Sequence, residues 1–179
     1  MSIKWYLLPT DTSWENYWKE TSIEVQAKIT NNDYPKLLEA IKNYSNKDSV
    51  VLEGGCGLGR WLFFLRKLGY KKLIGVDFIT PPLDKIKKHD KEITVKVGNV
   101  DSLPIEDSSI DLYLSMGVIE HFEEGPEDSL LEARRVLKKE GIMIISVPYQ
   151  NYYRSTVRRL FTMPLLKLIK PSFRNKNRI

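Results

Sequence analysis

Nine consecutive residues, Val51 to Gly59 (V-L-E-G-G-C-G-L-G), hold the densest chemistry in the chain. An apolar run ends in the carboxylate of Glu53. Glycines then stand at alternate positions, Gly55, Gly57 and Gly59, and Arg60-Trp61-Leu62-Phe63-Phe64-Leu65 opens like a helix. A strand that turns into a helix through glycines lets a ligand lie close to the backbone and offers it unpaired helix N–H groups. The spacing narrows the ligand. A dinucleotide site repeats as G-x-G-x-x-G and needs a glycine where this chain has Arg60. A second carboxylate, Asp77, closes the apolar run Lys72–Val76 and follows Glu53 by 24 residues. That separation suits one β-α-β step, and an acid at a strand tip can accept both hydroxyls of a ribose. Further on, Glu120-His121 follows another apolar run. Histidine titrates near neutral pH, so it can take a proton from a reacting hydroxyl or amine.

The G-x-G-x-G turn with its leading acid resembles motif I of the class I S-adenosylmethionine-dependent methyltransferases. Val97 to Asp111 (V-G-N-V-D-S-L-P-I-E-D-S-S-I-D) is similar to that family's G-D-A-x-x-L-P-F-x-D-x-S-F-D stretch, with Leu103, Pro104, Asp107, Ser109 and Asp111 in register. Gly117 to Phe122 (G-V-I-E-H-F) resembles the V-L-E-H-F segment of its small-molecule enzymes. The resemblance implies a cofactor, S-adenosyl-L-methionine, bound by Glu53, Gly55, Gly57, Gly59, Asp77 and the neighbouring Phe78. It implies that Asn99 and Val100 hold the adenine and that the Ser115–Met116 backbone touches the methionine moiety. Asn99 departs from the family's usual acid; its amide oxygen still accepts a hydrogen bond, though without charge. His121 and Glu120 become the candidate catalytic residues, each with a structural reading beside it.

The implied function is methyl transfer to a small-molecule, glycan or lipid-intermediate acceptor. The alternative is a non-catalytic module that keeps the cofactor fold. No N/D-P-P-Y/F signature of nucleic-acid amine methylation follows the fourth strand, where Ser115-Met116-Gly117-Val118 stands, and no nucleic-acid partner is expected.

Composition adds bounds. In 179 residues one core of ordinary size can be buried. A single cysteine, Cys56, excludes an internal disulfide, and with only His89 and His121 a zinc site is not expected. Cys56 reads as a small filler of the glycine loop and His89 as a surface residue. Met1-Ser2-Ile3-Lys4-Trp5 is no signal peptide, and a cytoplasmic protein is expected.

The elements that must position these residues alternate between helix and strand. Thr12-Ser13-Trp14-Glu15 is a capping-box pattern for a short helix carrying Trp14, Tyr17 and Trp18, a lid for the acceptor or plain core aromatics. A helix from Pro35 is expected to bury Leu37, Leu38, Ile41 and Tyr44. Strands are expected at 50–54, 72–77, 93–97, 110–116 and 142–147. Helices are expected at 59–68, at 83–90 (delayed by Pro81-Pro82) and at 127–139, the last stopped by Gly141. Such alternation predicts an α/β, doubly wound, Rossmann-like parallel sheet of strand order 3-2-1-4-5. The family's C-terminal antiparallel strands have no counterpart in the sequence. Three parts follow: helices over 1–48 that include the candidate lid, a cofactor-binding core over 49–148, and a basic amphipathic tail over 149–179.

From Gly141 onward there are eight basic residues and no acidic one, and they carry the chain to its net charge of +5. Tyr153, Val157, Leu160 and Phe161 share one helical face. A basic amphipathic helix of this kind covers a core, docks a partner, or lies on an anionic membrane through Arg154, Arg158 and Arg159.

Overall fold

The computed structural model describes residues 14, 16–18, 21–26 and 33–148. The expectations for Thr12, Ser13 and the tail 149–179, including its membrane-facing arginines, lie outside the described residues. Residues 14 and 16–18 are helical. After them come α1 (Ile23–Gln26), α2 (Pro35–Tyr44), β1 (Val50–Gly54), α3 (Arg60–Lys67), β2 (Lys72–Asp77) and α4 (Thr80–His89). The chain continues through β3 (Thr94–Val97), β4 (Ile110–Met116), a 3-10 turn (Ile119–His121), α5 (Glu127–Val136) and β5 (Leu137–Ser146).

The five strands form one parallel sheet in the order β3-β2-β1-β4-β5, as the alternation predicts. The strand order reverses between β1 and β4. Glu53 stands opposite Gly75 of β2 on one side and Leu114 of β4 on the other. In open α/β sheets, the crevice outside the carboxyl ends at such a reversal is where ligands bind.

Alternate residues of the central strands feed two apolar clusters, as the two-residue period of a strand requires. Val51, Leu73, Val95, Leu112 and Leu114 pack with Leu38, Ile41, Trp61, Leu62, Leu65, Leu83 and Ile86. Leu52, Val76, Ile110 and Tyr113 pack with Val100, Leu103, Ala133 and Val136. Both faces of the sheet are therefore covered, which explains why its strands read as nearly continuous apolar runs.

Four local expectations are corrected. Tyr44 is exposed, because α2 buries only a narrow stripe centred on Leu38 and Ile41. Pro81 and Pro82 do not delay α4; they occupy its first turn, where a missing N–H costs nothing. β3 begins at Thr94 rather than 93, and Val97 at its end is exposed. The largest difference is at α5, which stops at Val136 rather than 139, and β5 begins at once with Leu137 in extended geometry (φ −71°, ψ 135°). Leu137 pairs with Ile110, the register breaks opposite Asp111, and pairing resumes at Leu112 and Ile142. Lys138 crosses this irregularity to Asp111 at 2.7 Å. Gly141 is thus no helix stop. A Cβ there would come within 2.9 Å of the Ile110 carbonyl oxygen, so glycine lets the strand return to its partner.

Among the described residues no helix is long and apolar enough to cross a membrane.

Candidate functional site

The glycine turn is held by the tip of β2. Gly55 and Cys56 donate their N–H groups to the Val76 carbonyl at 2.8 and 3.0 Å, and Gly59 closes the turn on Cys56 O at 2.8 Å. Gly55, Gly57 and Gly59 all have positive φ (69°, 49° and 71°), the left-handed region that side chains disfavour. Alternate glycines are thus a conformational demand of this loop. Cys56 is buried beneath it as filler, its thiol pushed well above the usual range by burial.

Two carboxylates flank the turn. Asp77 is 6% exposed and accepts from Gly57 N–H at 2.7 Å and Ile79 N–H at 2.9 Å. Burial nonetheless raises its carboxyl above the ordinary range. Asp77 therefore braces the loop as well as standing where a ribose is expected. Each oxygen keeps a further lone pair for a hydroxyl. Glu53 is 3% exposed and its Oε2 is buried without a hydrogen-bond partner. Burial first, with the neighbouring Asp77 charge adding, pushes its pKa up to about 8.

The far rim comes from the end of β4. Ser115 is buried with its Oγ unpartnered, and Met116 is half-buried. Gly117 N–H donates to Ser146 O at 2.8 Å, tying this end of β4 to β5. The 3-10 turn then places Val118 beside the glycine loop, since a Cβ on Gly55 would lie 2.5 Å from Val118 Cγ2. His121 Nδ1 and Glu120 Oε2 in this turn are buried and have no hydrogen-bond partner.

The aromatic helix closes the circuit. Trp18 lies over Gly57, whose added Cβ would come 2.5 Å from Trp18 Cζ2. Trp14 stacks on Trp18, with centroids 6.1 Å apart and planes at 17°. Trp14 also meets the His121 ring edge to face at 5.3 Å. The contacts Gly55–Val118, His121–Trp14–Trp18 and Trp18–Gly57 thus rim one mouth at the carboxyl ends of β1 and β4.

The third segment is less open. Asn99 Oδ1 accepts from Val100 N–H at 2.8 Å, and Asn99 Nδ2 donates to Asp101 at 3.1 Å. The two groups expected at the adenine therefore satisfy one another here. Asn99 is exposed, Val100 buried, and Phe78, 46% exposed, stands free of the core beyond Asp77. Other motif positions prove architectural. Asp111 Oδ2 accepts from Val50 N–H at 2.7 Å and anchors the start of β1 to β4. Asp107 pairs with Arg135, whose guanidinium also bonds Leu103 O, Ile105 O and Glu132. Glu132 in turn accepts from Leu103 N–H at 2.8 Å. The Arg135–Glu132 clamp was not foreseen from the sequence. Its signal was an i,i+3 charge pair on α5 facing a loop with its own acids.

Residues 52–145 match the model of a family described as a methyltransferase domain. The chain belongs to that family. A protein of Encephalitozoon cuniculi provisionally named a methyltransferase is 36% identical over 109 residues, 60% of this chain and 49% of that one. A protein of Mycolicibacterium smegmatis described as a probable S-adenosylmethionine-dependent methyltransferase is 29% identical over 98 residues, 55% and 37% of the two chains. Among solved structures, a TehB-like S-adenosylmethionine-dependent methyltransferase of Corynebacterium glutamicum aligns with a TM-score of 0.59 at 25% identity, covering 76% of this chain and 73% of that one. The chain spans about half the length, or less, of the curated relatives it matches.

The residues present fit the family's cofactor, S-adenosylmethionine. The left-handed glycine loop leaves no room for side chains of its own under Val118 and Trp18, and unpartnered polar atoms of Glu53 and Ser115 stand at the ends of the adjoining strands β1 and β4.

Proposed function

We propose that this domain binds S-adenosylmethionine across the tips of β1, β2 and β4 and transfers its methyl group to a small-molecule, glycan or lipid-intermediate acceptor. One observation carries this reading: unpartnered buried polar atoms of Glu53, Ser115, Glu120 and His121 gather around a left-handed glycine loop at the strand-order reversal. Buried polar groups are normally satisfied, and an unsatisfied set at one mouth points to a ligand that satisfies it.

Glu53, the glycine loop, Asp77 and Phe78 are the residues that would hold the cofactor, with Asn99 and Val100 at its adenine end and Ser115 and Met116 at its methionine end. When bound, it supplies an electrophilic methyl group on a positively charged sulfur. The chain's own task is then positioning and exclusion of water. Trp14 and Trp18 cover the mouth, Glu120 faces the acceptor side, and His121 accepts a proton from an acceptor that must lose one.

Calorimetry with S-adenosylhomocysteine and NAD, followed by labelled-methyl transfer to acceptor pools, tests the reading. Micromolar binding of S-adenosylhomocysteine, none of NAD, and label in an acceptor pool support it. NAD binding without a response to S-adenosylhomocysteine defeats it. S-adenosylhomocysteine binding without transfer to any pool favours the non-catalytic module.

A further inference from the structure

The acceptor side of the mouth has three features that belong together: stacked indole faces, an unpartnered carboxylate oxygen and an unpartnered imidazole nitrogen. Trp14 and Trp18 supply the first, Glu120 Oε2 the second and His121 Nδ1 the third. We propose that this set recognises an amine acceptor, held as a cation by the indoles and the Glu120 carboxylate and relieved of its proton by His121. The inference rests on the methyl-transfer reading and names the substrate class for it.

Each feature argues for a nitrogen cation over the alternatives. Tryptophan is the best aromatic partner for an ammonium group, and the attraction grows where water is excluded. A buried carboxylate oxygen without a donor is costly unless a ligand answers it, and a cation answers it better than a neutral hydroxyl. An anionic acceptor would meet Glu120 with like charge. Two positive groups near the mouth make contacts away from Glu120, although Arg60 Nε is itself buried without a hydrogen-bond partner. The Arg60 guanidinium lies over the Tyr34 ring and donates to its hydroxyl at 3.3 Å. Lys85 is spent on the main-chain oxygens of Trp18 and Thr21 at 2.8 and 3.2 Å.

The chemistry balances with the groups at hand. An ammonium must shed a proton before its nitrogen has a lone pair to donate, and the His121 imidazole takes it. The lone pair then forms the N–C bond while the S–C bond breaks and sulfur keeps the bonding pair. Edge contact with Trp14 fixes the plane of the imidazole for that transfer.

Choline and its uncharged isostere 3,3-dimethyl-1-butanol separate cation recognition from mere apolar fit. Their affinities are to be measured by calorimetry on the full chain, alone and with saturating S-adenosylhomocysteine. The expected result is a preference for choline of at least tenfold, reduced to near unity in Glu120→Gln and weakened in Trp14→Leu. Glu120→Gln keeps the shape of the side chain, and circular dichroism verifies its fold. Equal affinity for the two probes, binding of neither, or a preference unchanged in Glu120→Gln overturns the amine assignment. If S-adenosylhomocysteine still binds in those cases, methyl transfer survives with a different acceptor. If S-adenosylhomocysteine does not bind, both readings fall.

Discussion

The Trp14 indole and the His121 imidazole, far apart in the chain, meet edge to face with centroids 5.3 Å apart. Through this contact a helix before the core touches the turn that follows β4, and the stacked Trp18 extends it to Gly57. The candidate lid and the candidate base are therefore one packed unit. A ligand on the glycine loop must displace it or slide beneath it.

Trp18 should report that event. Adding S-adenosylhomocysteine is expected to change tryptophan emission, and Trp18→Phe should remove most of the change. Trp61→Phe should leave it intact, because Trp61 is buried in α3 against Phe64 and Tyr34. A full response retained in Trp18→Phe would place the ligand away from this loop.

Asp77 braces the glycine loop and is proposed to hold the cofactor's ribose, and substitution should separate the two roles. Asp77→Ala strands the N–H groups of Gly57 and Ile79, so urea unfolding should show a loss of about 2 kcal/mol or more. Asp77→Asn keeps one acceptor oxygen and should lose less stability. Both variants should weaken S-adenosylhomocysteine binding, by about 1.5–3 kcal/mol for a hydrogen bond to a charged group. Unchanged affinity in Asp77→Asn would leave this carboxylate only its bracing role.

Gly57 combines φ of 49° with Trp18 at close range. Gly57→Ala should cost about 1–2 kcal/mol from backbone conformation alone, and its methyl must push the indole aside. Binding of S-adenosylhomocysteine should weaken at least tenfold. The double variant Gly57→Ala with Trp18→Ala tests the cause by calorimetry. Partial recovery is expected if the displaced indole blocks the ligand, and none if the loop itself is deformed.

The sheet was legible because both of its faces are buried. Leu73 to Val76 and Leu112 to Leu114 are short apolar runs of the kind a covered parallel strand shows. The glycine loop was legible because the left-handed turn leaves few other residue types. What escaped the sequence depends on contacts between distant segments. The period of α5 continues through Leu137, yet pairing with Ile110 pulls Leu137 into β5, and no local propensity encodes that competition. Asp107 and Asp111 looked like members of a functional stretch, but Arg135, Lys138 and Val50 claim them for architecture. Asn99 follows the end of β3, and its bond to Val100 depends on a side-chain orientation that sequence does not fix.

The buried Glu53 should leave its mark on stability. Its carboxyl titrates near 8 in the folded protein against an ordinary value of 4.5, chiefly because burial disfavours the charge and secondarily because Asp77 repels it. Between those values the folded state holds a proton that the unfolded chain has released. Folding is therefore linked to proton uptake, and stability must fall as pH rises. The contribution is fully present below about pH 4.5 and is lost by about pH 8, with a slope of about 1.4 kcal/mol per unit in between. Asp77, also raised by burial, acts in the same direction and leaves a remnant when Glu53 is removed. Urea unfolding at steps from pH 5 to pH 8.5 measures the slope. Glu53→Gln, uncharged throughout, should flatten most of it and should be more stable than the parent at pH 8.5. A parent whose stability does not fall over this range, or a Glu53→Gln variant with the parent's slope, would mean that Glu53 is charged and satisfied in the folded protein.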